Sequence, residues 1–291
     1  MNKAWRQSAV MAAVLAQFIA DTSRQNVLEN GDTATILANL KASLAVSSPP
    51  ADSTINAKMT VATASASATF TAVEIAVKSA LGGPTWLLSG FNKTIKLATT
   101  GADGLDTGTV PVNGYVALNA IFNPSGARAL LAVNANAGVA PNVYGGAKML
   151  AGCSASALLT VVPTNGSSQF RVCGVLGRRV PIPLGTFFTV AANIPGQNIS
   201  IAAFAPANAK VIFGELSASC SAAANITLSV NSDNASALSQ QNLSTFIGSV
   251  SAVFIGNFAN VLLTTPQSIG IGANTTAGTP SFSYYIVGYE I

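Results

Sequence analysis

Histidine is absent from all 291 residues. Its absence removes the commonest general base, the usual switch near neutral pH and the commonest metal ligand. Charge is nearly as scarce: only 8% of residues are Asp, Glu, Lys or Arg, against about a quarter in an ordinary soluble domain. A dispersed monomer keeps itself in solution with a charged coat, and this chain has little to make one. Neutral surfaces suit large permanent interfaces, where charges would have to be desolvated, so the composition predicts an obligate homo-oligomer or a component of a larger assembly. Cysteine occurs three times, as Cys153, Cys173 and Cys220, without C-x-x-C spacing or a histidine to complete a zinc site. Small buried side chains on strands are the expectation, and a Cys153–Cys173 bridge between neighbouring strands stays open. No stretch reaches the ~18–20 apolar residues of a membrane helix, so membrane insertion is not expected.

The little charge there is lies unevenly. The net charge is +4, yet residues 181–291 contain only Lys210, Glu215, Asp233 and Glu290. Nucleic-acid binding needs clustered Lys and Arg to displace counterions. The one tight basic pair is Arg178-Arg179, so nucleic acid is not an expected partner. Hydrophobic residues make up 49%, and recurrent strand patterns of Val, Ile, Leu and Phe argue for a packed fold rather than disorder.

Residues 2–20 have helical composition. Met11, Val14, Leu15 and Phe18 form one stripe; Trp5, Ala9, Ala12, Ala13 and Ala16 form a second, mostly small one. A helix apolar on more than one side is expected to be buried on more than one side. The short apolar core of this stretch is interrupted by Gln17 and lacks a small-x-small cleavage site, which favours a helix of the mature protein over a signal peptide. Asn30-Gly31 marks a turn. Asp32 can cap a second helix, 33–44, with Ile36, Leu37, Leu40 and Leu44 on one face. Val46-Ser47-Ser48-Pro49-Pro50 reads as a linker.

From residue 54 the period changes to two. Ile55, Ala57, Met59 and Val61 alternate with polar residues, as in a half-buried strand. Short strand candidates separated by turns continue to the end, among them 86–88, 94–98, 115–122, 129–133, 148–151, 157–162, 170–176 and 281–289. This spacing predicts a mainly β protein: antiparallel β-sandwich or jelly-roll-like domains preceded by a short N-terminal helical segment. The expected organisation is a helical attachment segment over 1–45, a β domain over 51–180 and a C-terminal β-sandwich domain over 191–291. Arg178-Arg179-Val180-Pro181-Ile182-Pro183 reads as the connecting segment.

One block is more specific than the rest. Gly101-Ala102-Asp103-Gly104-Leu105-Asp106-Thr107-Gly108 runs into the alternating strand Tyr115–Phe122, then Asn123-Pro124, then Arg128-Ala129-Leu130-Leu131-Ala132-Val133. It resembles a β domain of bacteriophage tail-fibre and tail-associated receptor-binding proteins, and the resemblance covers roughly the middle third of the chain. It implies a virion structural protein made in the host cytoplasm: a tail fibre or adhesin, homotrimeric, bound to other tail or collar proteins and contacting a host cell-surface receptor, glycans included. The alternative is a capsid decoration or collar protein with no receptor role. The attachment candidates are Trp5, Met11, Leu15, Phe18, Leu37 and Leu40, and the receptor-contact candidate is Tyr144, between Asn142 and Gly145-Gly146.

Catalytic readings fare worse. Asp106-Thr107-Gly108 matches the aspartic-protease triplet, but a triplet this short recurs by chance and that chemistry needs a second carboxylate sharing the proton. Asp103 and Asp106 also invite a calcium or glycosidase reading. The plainer expectation is a tight turn in which both carboxylates cap backbone N–H groups while Gly101, Gly104 and Gly108 supply positive φ. No enzyme activity, cofactor or metal is expected.

Overall fold

The computed structural model describes every residue except 1, 24–26, 28–31, 47–48, 52, 147 and 250–251, and the backbone alone of residues 2–6, 22–23, 42 and 44–46. Two helices, α1 (Asn2–Ser23) and α2 (Thr33–Val46), lead the chain. The strands are β1 (Thr54–Ile55), β2 (Lys58–Val61), β3 (Ser67–Lys78), β4 (Thr85–Lys96), β5 (Gly104–Leu105), β6 (Tyr115–Phe122), β7 (Arg128–Asn134), β8 (Ala155–Pro163) and β9 (Cys173–Leu176). They continue as β10 (Arg179–Val190), β11 (Ile194–Ser200), β12 (Val211–Cys220), β13 (Ala224–Asn231), β14 (Gln241–Ile247), β15 (Val253–Leu262), β16 (Ser268–Thr275) and β17 (Pro280–Glu290). The protein is mainly antiparallel β with an N-terminal helical segment, as its period-two patterning predicts.

A 13-stranded sheet runs β15-β12-β17-β10-β9-β2-β3-β8-β6-β7-β5, with β1 and β4 also on β3; β11-β16-β13-β14 form a second, four-stranded sheet. Every pairing between named strands is antiparallel except β5 on β7. The four-stranded sheet packs on the β17/β12 end of the large one. Ile226, Leu228, Ile269 and Ile271 from one side and Leu216, Phe282, Tyr284 and Ile286 from the other belong to one hydrophobic core. That core continues through β6 and β8, whose residues are buried on both faces.

The segment read as a connector, 178–183, is instead the start of β10. It pairs with β17 from Arg179↔Glu290 through Pro181↔Gly288. Its prolines are tolerated because the register shifts between Pro181 and Gly185, so the missing N–H groups fall at an irregularity of the ladder. β10 also meets β9 at Arg179↔Leu176, so backbone hydrogen bonding passes through it from the strands of the first half to those of the second. Two tyrosines reinforce the join: Tyr289 Oη donates to Val161 O at 2.7 Å and Tyr115 Oη to Ala202 O at 3.1 Å. A third, Tyr284, crosses to the four-stranded sheet, donating to Gly272 O at 2.6 Å.

Several short elements differ from the patterns. Residues 148–151 form turn and irregular structure, not a strand. The two candidates 86–88 and 94–98 fall largely within one long β4, held along β3 from Lys78↔Thr85 to Ser67↔Lys96.

Candidate functional site

Three surfaces carry the candidate residues. The first is the helical pair. Asp32 caps α2 as its position suggests: Thr35 N donates to Asp32 Oδ1 at 3.1 Å, and the Thr35 hydroxyl to Oδ2 at 2.5 Å. These bonds hold the Asp32 carboxyl below the usual range. α1 and α2 pack together where Ile19 and Ser43 are buried, and Ser43 Oγ donates to Ile19 O at 3.2 Å. Contrary to the expectation of burial on more than one side, the side chains of α1 over 7–18 stay open within one chain, apart from the half-buried Ala16. Val10 is 60% exposed, Met11 71%, Val14 62% and Leu15 45%. Of the other attachment candidates, Phe18 and Leu37 are exposed, Leu40 is half-buried and the Trp5 side chain lies outside the described residues.

The second surface is the Gly/Asp-rich loop. Asp103 adopts φ 57°, accepts from Leu130 N at 2.8 Å through Oδ1 and returns its own N–H to Leu130 O at 2.8 Å. Asp106 Oδ1 accepts from Thr107 N at 2.7 Å, while Asp106 N donates to Ala132 O at 2.9 Å. The two carboxylates therefore serve separate backbone sites, and the loop clamps β5 against β7. Gly101 and Gly108 take positive φ as anticipated, but Gly104 does not. Gly104 is needed for close approach, because a Cβ there would lie 2.4 Å from Thr99 O. Lys93 Nζ sits 4.0 Å from Asp103 Oδ2, partly exposed, an ion pair worth at most about 1 kcal/mol.

Tyr144, the receptor-contact candidate, is drawn into this assembly. It is buried; its N–H donates to Ser156 Oγ at 2.8 Å and its hydroxyl to Asp106 Oδ2 at 3.1 Å. Burial first, then the neighbouring Asp106 carboxylate, raise its pKa. A ring held this way is not a platform on which a sugar can stack, so the candidate is corrected. Its flanking glycines suggested an open loop, and the long-range bond to Asp106 was invisible to local pattern. All three cysteines are free thiols.

The third surface was not anticipated. The outward face of the β10-β17-β12-β15 end bears a cleft of about 280 Å³, lined by Arg179, Phe213, Glu215, Asn257, Ala259 and Val287. Its floor depends on Gly214, which sits where β12 shifts register against both β15 and β17. A Cβ at Gly214 would fall 1.9 Å from Tyr285 O and 2.6 Å from the Phe258 ring. Beside the cleft, Glu215 stands opposite Asn257 on one flank and Tyr285 on the other, with Thr186 next to Tyr285. The available sequence signal was charge scarcity: two of the four charged residues in 181–291, Glu215 and Glu290, lie at this corner beside Arg179.

No family model and no curated protein matches the chain. Among solved structures, TmCBM61, a carbohydrate-binding module in complex with β-1,4-galactotriose, matches over 39% of this chain and 69% of its own, at 10% identity and a TM-score of 0.23. A likeness this slight bears on neither the fold nor the ligand of this chain.

Proposed function

We propose that this chain is a bacteriophage virion structural protein, a homotrimeric tail fibre or tail-associated adhesin held to the particle by its N-terminal helices and presenting its β region to the host. The observation that carries the reading is the open apolar stripe of α1. Val10, Met11, Val14 and Leu15 lie within less than two helical turns and are each at least 45% exposed in the isolated chain. Burying such side chains is worth roughly 1.5–3 kcal/mol each, so the stripe favours a protein partner, taken here to be a tail component of the particle. The resemblance carried by residues 101–133 supports the same reading, as does a chain too poor in charge to coat itself as a monomer. Further exposed apolar side chains at the strand edges, Phe246 on β14 and Val253 and Ile255 on β15, suit contacts between copies, because an unpaired edge invites association.

Deleting residues 1–45 tests this directly. The truncated chain is expected to stay folded by circular dichroism yet be lost from purified phage particles. Particles that incorporate it as well as the full chain would sink the attachment role. Labelling that places the chain on the capsid or collar would replace the adhesin with a decoration protein.

A further inference from the structure

We propose that the cleft on the outward face of the β10-β17-β12-β15 end is a glycan-binding site that takes a neutral terminal sugar residue, with Glu215, Asn257 and Arg179 as its hydrogen-bonding groups. The inference deepens the adhesin reading by naming its ligand class and contact residues.

The first support is the placement of charge. Residues 181–291 hold only Lys210, Glu215, Asp233 and Glu290. Asp233 is used within the fold, accepting from Asn198 Nδ2 at 2.7 Å and from Ser236. Glu215 and Glu290 instead gather with Arg179 on one face, where β10, β17 and β12 lie side by side. A chain that elsewhere covers itself with Ser, Thr and Asn has no solubility reason to concentrate charge at one corner.

The second is what these groups are bonded to. Among the described residues, the Glu215 carboxylate, the Asn257 amide and the Tyr285 hydroxyl have no internal hydrogen-bond or ion-pair partner, although their backbones are in direct register across three strands. Neighbours of this kind have Cβ atoms about 4.5–5.5 Å apart. The other tyrosines of the chain behave differently: Tyr115, Tyr144, Tyr284 and Tyr289 each donate their hydroxyl inside the protein.

The third is preorganisation. The Arg179 guanidinium lies 4.8 Å from the centroid of the Phe213 ring and its Nε is 4.0 Å from Glu290 Oε2. The ring contact biases the guanidinium toward the cleft and the half-exposed ion pair adds at most about 1 kcal/mol, so part of the ordering cost of binding is met in advance.

These features select a ligand. A carboxylate accepts from paired hydroxyls, an amide both donates and accepts, and a guanidinium donates. Vicinal hydroxyls on a sugar ring offer matching donors and acceptors, and the apolar ring face suits the Val287 and Ala259 surface. At about 280 Å³ the cleft is at the small end of ligand sites, ~300–1,000 Å³, so it fits the end of a glycan rather than an enclosed oligosaccharide. Arg179 pairs with Glu290, which leaves Glu215 as the carboxylate open to a ligand hydroxyl.

The test uses the full-length chain and a panel of neutral disaccharides ending in galactose, glucose, mannose, rhamnose or N-acetylglucosamine, read by saturation-transfer NMR and titration. At least one is expected to bind, and Glu215→Gln, Asn257→Ala and Arg179→Ala should each weaken it by about tenfold or more with unchanged thermal unfolding, since bonds to charged groups are the stronger ones. No binding across the panel, binding that survives all three substitutions, or preferential binding of Lys- and Arg-containing peptides would each overturn the site. The same variants assayed on host cells keep the two readings apart. Cell binding that ignores these substitutions would leave the adhesin standing and remove the cleft. Sugar binding at the cleft by a chain absent from particles would do the reverse.

Discussion

β8 and β12 are both long antiparallel strands, yet they do opposite things with their side chains. Every residue of β8, Ala155–Pro163, is buried, including Ser156 and Thr160. β12 alternates between half-buried and buried along its whole length, from Val211 to Cys220. A strand enclosed on both faces spends all its side chains on packing. A strand enclosed on one face has a second row left over, and on β12 that row includes Phe213 and Glu215. The comparison teaches that the central strands supply stability while the β12/β17 end supplies a surface that can differ without disturbing the core.

The sharpest way to break this contrast is a pair of substitutions, one on each strand. Leu158→Ala on β8, at a fully buried position, is expected to destabilise the chain by ~2–5 kcal/mol through lost burial and a residual cavity. Glu215→Gln on β12 should stay within about 0.5 kcal/mol, as surface changes do. Urea unfolding of both variants checks this; a Glu215→Gln loss comparable to that of Leu158→Ala would mean the carboxylate is structural.

A smaller effect separates adjacent faces of β17. Tyr289→Phe removes the hydroxyl that donates to Val161 O at 2.7 Å inside the core, and a cost of ~1–3 kcal/mol is expected because the buried carbonyl loses that donor. Tyr285→Phe, on the outward row, should change stability by only a few tenths of a kcal/mol. Equal losses from the two would contradict the division of β17 into a buried and an open face.

The last contrast is a pH dependence carried by the buried side. Burial pushes the Cys173 thiol from an ordinary 9.0 up to about 12, with Arg171 pulling weakly the other way. The neutral thiol is therefore the form the fold prefers. Its contribution is fully present below pH 9 and is lost as pH rises from there towards 12, at up to about 1.4 kcal/mol per pH unit. Tyr115, Tyr284 and Tyr289 shift in the same direction for the same first reason. Unfolding midpoints measured below pH 9 and near pH 11 should fall for the parent chain and fall less for Cys173→Ala. Identical slopes would show that this thiol is not held neutral by the core.

Much of the fold is legible in the sequence. β6 occupies Tyr115–Phe122, the bounds its alternation predicts, and β17 differs from the predicted 281–289 by one residue at each end. Other strands were not legible. β16, Ser268–Thr275, sets Gly270 and Gly272 beside its isoleucines, and glycine reads locally as a turn or break rather than as strand. β14 was missed for a different reason: its outward positions include Phe246 beside Asn242 and Ser244, so apolar residues fall on both parities. The start of β10, up to Pro183, was read as a connector because proline is depleted in strands, whereas here a register shift accommodates it.

The candidate sites divide along the same line. Composition and local spacing by themselves determined a mainly β, charge-poor chain with two helices at its start, because apolar period, capping residues and turn glycines act over a few residues. Tertiary structure alone decided which side chains are available. It closed Tyr144 onto Asp106, 38 residues away, and left Val10, Met11, Val14 and Leu15 of α1 uncovered. It also set Glu215 between Asn257 and Tyr285, from strands 42 and 70 residues further along the chain. Strand pairing joins positions by sheet order rather than by sequence distance, and no local pattern encodes which distant strand will be the neighbour.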